Sequence, residues 1–405
     1  MRRLAACVIA CATLITASAC AQEAPSPAPQ EDFWSQTRRG ANSFNRTESG
    51  AHLADAKAFG AGFVRVAIDK WRGEGRDFLA GDLDNYNGLV AADVAHLRAI
   101  LDEAAAADVP VVLTLLGLPG ARWTQLNSDQ HDTRLWRDRV WWDASARYWA
   151  DIARTFKDHP AIVGYNLLNE PTPEFGEDVE ENGDTVAARD AWCARVRGTP
   201  RDLDGLYRHL VAAVRAEDPT TPIILDAGFY AQPGALRCLA PIDDPHVLYA
   251  VHVYEPYQYT TFNQNRGRWR YPGLAPYGGV ERQWDAAALA RHLQPLVDWA
   301  GEHNVPRNRL MLGEFGCDRR VEGCALYLRD IIAAAEAARI HWAFYSFRED
   351  VWDAMDYEIG DGPTPQGYWD AVERGVAPTP PRVPNPMADT LRAGLRGAFA
   401  IPADE

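Results

Sequence analysis

The sequence predicts an α/β chain folded as a single (β/α)8 TIM barrel, and three observations predict it. Eight short apolar runs recur along the chain, at 40–44, 63–68, 111–116, 162–168, 223–226, 247–254, 310–315 and 342–347. Amphipathic stretches separate them, among them VAHLRAILDEAAAA, ARYWADIARTF, LDGLYRHLVAAVRAE and LYLRDIIAAAEAAR, whose apolar residues return every three or four positions as on one helix face. Strand-length runs alternating with helices argue for parallel pairing, because parallel neighbours need a long crossover, and eight such units close a barrel. An open, doubly wound sheet is the competitor, but no Gly-x-Gly-x-x-Gly follows an early run.

Taken in order, residues 1–21 have the layout of an export signal: Arg2 and Arg3, an apolar stretch at 4–17, then small residues. That stretch is too short to span a bilayer as a mature helix. Ala17-Ser18-Ala19-Cys20 resembles a bacterial lipobox with Ala in place of the usual Leu, which would leave a lipid on Cys20. Alternatively, Ala19-Cys20-Ala21 is a small-x-small site cut before Gln22. Residues 22–32, with Pro25, Pro27 and Pro29, read as a semi-rigid tether. The expected location is therefore outside the cytoplasm: periplasmic, held on the outer membrane by a lipid at Cys20, or freely secreted. Residues 33–405 show no break in composition and read as one domain.

Export predicts disulfides. Of the seven cysteines, Cys7 and Cys11 lie in the signal and Cys20 at the possible anchor, leaving Cys193, Cys238, Cys317 and Cys324. Four cysteines in an oxidising compartment allow three pairings; Cys317 with Cys324 and Cys193 with Cys238 are the expected ones. There is no Cys-x-x-Cys and no His-rich cluster at ligand spacing, so a zinc site has little support. The formal net charge of -15 lacks the positive field a nucleic-acid partner needs, and a neutral substrate suits it better than a phosphorylated one.

In a (β/α)8 barrel the active site lies at the carboxyl ends of the strands, so the run ends can be read in turn. The second run carries Arg65 and leads to Trp71. The fourth takes Val163, Tyr165, Leu167 and Leu168 into the core and stops on Asn169-Glu170. In the sixth, His252 and Tyr254 alternate and so share a side. The seventh finishes on Glu314; the eighth ends in aromatics that include Tyr345. MADTLRAGLRGAF then supplies a closing helix. One carboxylate at a strand end is ordinarily capped and solvated. Two that converge with Arg, His, Tyr and Trp point to chemistry.

NLLNEP, MLGEFG, FVRVAIDKW and VHVYEP, in their order and on their runs, resemble the strand motifs of glycoside hydrolase family 5, the cellulase-type group of clan A. The resemblance extends over essentially the whole chain beyond the tether. It implies hydrolysis of O-glycosidic bonds in a β-linked glycan with retention, with Glu170 as general acid/base and Glu314 as nucleophile, and it implies no cofactor. It also implies substrate contacts from Arg65, Trp71, Asn169, His252, Tyr254 and Tyr345. Asn169 would meet the sugar 2-hydroxyl, Arg65 would lower the Glu314 pKa by opposite charge, and Tyr254 would donate a hydrogen bond to it. Two positions depart from the family pattern. Leu116 stands where a His is usual, and Tyr345 where a Trp is usual with Trp342 and Trp352 near it, so the shape of the subsite for the reacting sugar differs from that of an ordinary cellulase.

The long segments GARWTQLNSDQHDTRLWRDRVWW and YQYTTFNQNRGRWRYPGLAPYGG read as aromatic loops walling a cleft. Arg266, Arg268 and Arg270 read as a solvated basic stripe, Asp318 and Glu322 as surface charge. Two further readings stay open: an exo-acting β-glycosidase working on oligosaccharides, and a non-catalytic glycan-binding lipoprotein. The second would retain the aromatic loops and lose a carboxylate, whereas both carboxylates are present.

Overall fold

The computed structural model describes residues 33–46, 48–179, 185–349, 354–363, 371 and 382–400. The export signal and the tether lie outside the described residues. All eight runs form strands: β1 (Arg39–Ser43), β2 (Val64–Ala67), β3 (Val111–Thr114), β4 (Ile162–Asn166), β5 (Ile223–Asp226), β6 (Val247–Val253), then β9 (Leu310–Phe315) and β10 (His341–Phe344). Between the last pair and β6 lies a hairpin, β7 (Gly273–Tyr277) and β8 (Val280–Trp284). The eight barrel strands are parallel, and β10 closes on β1 through Arg39↔Trp342, Gly40↔Ala343 and Ala41↔Phe344.

Inside the barrel, side chains alternate along each strand and change character from one end to the other. Phe63, Val112, Ile224, Leu248, Ala250, Met311 and Ala343 fill the amino-terminal half as a dry layer. Trp34, from the segment before β1, plugs that end and donates its indole N–H to the Val163 carbonyl at 2.8 Å. Gly40 makes room for the Phe63 ring of this layer, which a Cβ there would meet at 2.6 Å. Two residues further along the same inward faces come Asn42, Arg65, Asp226 and His252, all buried. The carboxyl end of the barrel is therefore polar by sequence alternation, not by solvent exposure.

Among the described residues, eight helices of ten residues or more surround the barrel: α1 (Gly50–Phe59), α2 (Ala91–Ala106), α3 (Val140–Phe156), α4 (Val186–Val196), α5 (Leu203–Glu217), α6 (Ala286–Glu302), α7 (Cys324–Ala338) and α8 (Pro386–Leu395). The amphipathic stretches read from the sequence lie in α2, α3, α5 and α7, and the closing helix is α8. In α3 the buried Trp142, Trp149, Ile152 and Phe156 recur at helical spacing and turn one stripe to the sheet. Trp149 also donates its indole N–H to the Leu167 carbonyl at 2.9 Å, tying α3 to the chain just beyond β4. Side-chain caps start several helices, as Asp202 does for α5 and Asn385, followed by Pro386, for α8.

Both expected disulfides form. Cys193–Cys238 (Cα–Cα 5.1 Å) ties α4 to the segment after β5, and Cys317–Cys324 (5.8 Å) ties the end of β9 to the start of α7. The β7–β8 hairpin was not expected. Only Ala275 and Trp284 of its ten residues are buried, so it carries no readable period, and its turn is Gly278-Gly279, both at positive φ as a two-residue hairpin turn requires. Asp318 is a second correction. It is fully buried and paired with Arg320, because the Cys317–Cys324 loop folds it inward, where its backbone N–H donates to the Thr260 carbonyl.

Candidate active site

Arg65 organises the carboxyl end of the barrel. Its Nη1 donates to Asn42 Oδ1 (2.6 Å), the Gly313 carbonyl (3.0 Å) and Glu314 Oε1 (3.1 Å). Its Nη2 donates to Asn166 Oδ1 (2.6 Å) and Asn169 Oδ1 (3.0 Å). A guanidinium this deeply buried is tolerated only when its charge is paired and its donors are used. One cation thereby holds residues of β1, β2, β4 and β9 in a single arrangement.

Glu314, the penultimate residue of β9, receives that N–H on one oxygen and the Tyr254 hydroxyl on the other at 2.8 Å. Burial pushes its carboxyl above the usual range, while the Arg65 charge and the Tyr254 hydrogen bond pull it back. The sequence reading placed Arg65 and Tyr254 as the groups that lower this carboxyl, and both act in that direction, but loss of water outweighs them.

Glu170 lies four residues beyond β4 with φ 48, in the left-handed region that costs an ordinary residue on the order of 1 kcal/mol. Its backbone N–H donates to Asp226 Oδ2 at 3.2 Å, and the preceding Asn169 N–H donates to the Leu115 carbonyl at 2.8 Å. The left-handed turn aims the carboxyl at the barrel axis, where Oε1 meets His252 Nδ1 at 2.8 Å. His252 Nδ1 also stands 3.7 Å from Glu314 Oε2. One ligand atom each from Glu170, His252 and Glu314 lie within 4.8 Å of one another. Such a trio could hold a cation, yet Arg65 already supplies positive charge against Glu314, which works against a second cation there. Burial, and then the Arg65 charge, hold the His252 pKa well below its ordinary value, which favours the neutral ring.

The cleft above these groups has a volume of about 600 Å³. Asn169, His252, Tyr254 and Tyr345 line it, as the sequence reading placed them, and so does Leu116. Tyr345 donates its hydroxyl to Glu349 Oε2 at 2.7 Å, and Lys70 binds the other oxygen of Glu349 at 2.9 Å. Trp71 does not reach the cleft. A short 3-10 turn over Ile68–Lys70 breaks the strand alternation, so Lys70 faces the cleft while the Trp71 ring is buried beside Phe78 at 5.3 Å. Trp123, His131 and Trp136 from the loop after β3, and Tyr257 from the loop after β6, form the walls. Tyr230 enters from a turn after β5 in which Phe229, Tyr230 and Ala231 all have positive φ, near 56°, 54° and 60°. None of Arg266, Arg268 and Arg270 lines the cleft.

Sequence reasoning missed Asn42, Asn166 and Asp226, although all three are inward-facing polar residues at strand ends and inspection of each run end could have found them. Lys70, Tyr230 and Glu349 sit on loops and carry no such signal.

The chain is similar to a β-xylosidase of Phanerodontia chrysosporium, 24% identical over 280 residues that make up 66% of this chain and 51% of that protein. Endoglucanase H of Acetivibrio thermocellus is 23% identical over 169 residues, 42% of this chain and 14% of that one. The chain thus spans about half of the length of the first of these relatives and less of the second. Among solved structures, Thermotoga maritima Cel5A in complex with a mannotriose substrate shares the fold with a TM-score of 0.57 at 15% identity, covering 90% of this chain and 100% of that one. The model of the cellulase family, glycosyl hydrolase family 5, matches residues 28–350, and the chain belongs to that family.

Proposed function

We propose that the protein is a retaining β-glycoside hydrolase that cleaves O-glycosidic bonds of a β-linked, glucan- or mannan-like glycan, with Glu170 as general acid/base and Glu314 as nucleophile. The observation that carries this reading is the approach of the two carboxylates, whose oxygens lie within 4.8 Å. Retaining enzymes hold the pair roughly 5–5.5 Å apart, whereas inverting ones need about 6.5–9.5 Å to seat a water.

In the first step a Glu314 oxygen bonds to the anomeric carbon as the bond to the leaving oxygen breaks, and Glu170 delivers its proton to that oxygen. In the second, Glu170 takes a proton from water, the water oxygen bonds to the same carbon, and the Glu314 ester breaks. Arg65 and Tyr254 hold Glu314 for attack through their hydrogen bonds. Asn169 Oδ1 is occupied by Arg65, which leaves the amide N–H2 as the donor for a sugar hydroxyl. The names of the relatives favour glucan, mannan or xylan backbones. The β-xylosidase likeness supports an exo-acting enzyme on oligosaccharides as a second reading. An exported enzyme with its anchor at Cys20 agrees with the disulfides, and belongs to the same proposal.

The test is a product profile on β-glucan, mannan, xylan and aryl β-glycosides, with proton NMR of the earliest product. Release of a β-anomer from a β-glycoside is the expected result. An α-anomer appearing first would overturn retention, and inertness toward every glycoside would overturn the whole reading. Monosaccharide as the first product would favour the exo-acting form.

A further inference from the structure

β5 ends on a carboxylate, Asp226, that is fully buried behind the contact between Glu170 and His252. Its Oδ1 accepts from Asn166 Nδ2 at 2.9 Å, and its Oδ2 accepts from the Glu170 backbone N–H at 3.2 Å. The same Oδ2 stands 3.4 Å from His252 Nε2 and 3.9 Å from Arg65 Nη2. Behind it, the Tyr207 hydroxyl of α5 donates to the Asp226 carbonyl at 2.7 Å.

A neutral His252 has one ring proton, and its position decides what the ring offers Glu170. Nε2 is buried and makes no well-aligned hydrogen bond among the described residues, so the field around it decides. The charged group set against Nε2 is the Asp226 carboxylate. A lone pair on Nε2 would face negative charge at 3.4 Å, whereas an N–H dipole there is attracted. With the proton on Nε2, Nδ1 turns a lone pair toward Glu170 Oε1 at 2.8 Å. A lone pair and a carboxylate oxygen repel at that distance; a protonated carboxyl donates to it.

We propose that Asp226 is a positioning residue that keeps Glu170 protonated in the resting enzyme, by drawing the His252 ring proton to Nε2 and by holding the Glu170 backbone in its left-handed turn. This rests on the reading of Glu170 as acid/base. In the glycosylation step Glu170 gives its proton to the leaving oxygen, and the Nδ1 lone pair then faces a carboxylate. That repulsion drives Glu170 to take the proton back from water in the second step. Burial pushes the Asp226 carboxyl up to about 6, with Arg65, the Glu170 N–H and Asn166 opposing, so the arrangement holds above that pH. The charged and titratable groups facing the trio are Arg65 from β2, Glu170 beyond β4, His252 and Tyr254 from β6 and its end, and Glu314 from β9.

The experiment compares the full-length wild type with Asp226→Asn on two aryl β-glycosides, one with a poor leaving group and one with 2,4-dinitrophenolate, which departs without a proton. An amide N–H2 facing Nε2 moves the ring proton to Nδ1 and favours ionised Glu170. For the poor leaving group kcat/KM should fall about a hundredfold, and its basic limb should move down by about one pH unit. For dinitrophenolate the loss should stay within about threefold. Equal losses on both substrates with an unmoved basic limb would reduce Asp226 to a structural role and overturn the proposal. Independently of the variant's folding, nitrogen-15 NMR of histidine-labelled wild type should show His252 protonated at Nε2; protonation at Nδ1 would overturn the proposal directly. A wild type inactive on every glycoside would sink the Glu170 reading instead, and the NMR result would still decide where the proton sits.

Discussion

At Glu314 burial and two hydrogen-bond donors act on one carboxylate in opposite directions, and the balance can be tipped by one atom. Removing the Tyr254 hydroxyl with Tyr254→Phe takes away a bond that favours the ionised form, so the acidic limb of kcat/KM should move to higher pH, by about one unit. A limb that stays or moves down would show that Tyr254 does not set this charge. Glu170→Gln and Glu314→Gln should each cost at least about a hundredfold in kcat on a poor leaving group, with circular dichroism unchanged. Azide should restore Glu170→Ala on an activated aryl glycoside, and near-normal turnover of either Gln variant would undo the assignment. The seven sequence-read residues other than Trp71 meet at the carboxyl end of the barrel, because polar side chains at alternating strand-end positions have few places to point but inward. Trp71 was misread because a 3-10 turn resets that alternation, and Lys70 and Glu349 were invisible because they meet across 279 residues of sequence.

The elements were legible where burial imposes a period. The barrel strands are covered on both faces, so they read as largely apolar runs broken by inward polar residues such as Arg65 and His252, and the helices between show a single apolar stripe. The β7–β8 hairpin, exposed on most of its surface, has no such imprint. Junctions between elements carry the precision of the site. Trp149→Phe would leave the Leu167 carbonyl, buried three residues before Glu170, without its donor. This should cost about 1–3 kcal/mol of stability and lower kcat more than it raises KM. A variant that loses stability while kcat holds would show that α3 supports the strand but does not aim the carboxylate.

For the whole molecule, buried carboxyls set the response of stability to pH. Burial raises Glu48 to about 8, against hydrogen bonds from Ser43 and Ser49, and raises Asp69 to about 7, against the N–H groups of Gly117 and Leu116. The folded state therefore binds more protons than the unfolded chain through this range, and stability falls as pH rises. Burial also lowers His52 and His341 to about 4, which acts with the opposite sign but only up to the unfolded histidine value near 6.5. Between about pH 6.5 and 8 the carboxyls act unopposed, and chemical denaturation should show declining stability there. A rise over that interval would contradict the burial of these groups. Mass spectrometry of the folded protein should find no free thiol among Cys193, Cys238, Cys317 and Cys324.

Trp34 closes the barrel at the amino ends of its strands, and the cleft opens at the opposite pole. The first described residues, Phe33 and Trp34, sit at that plugged pole. A molecule held at that pole on a surface in the laboratory stands with its cleft facing away from the support. Immobilised that way, it should degrade an insoluble polymer as well as the free form does; fixed through Tyr257 in the wall of the cleft, it should hydrolyse only small soluble glycosides.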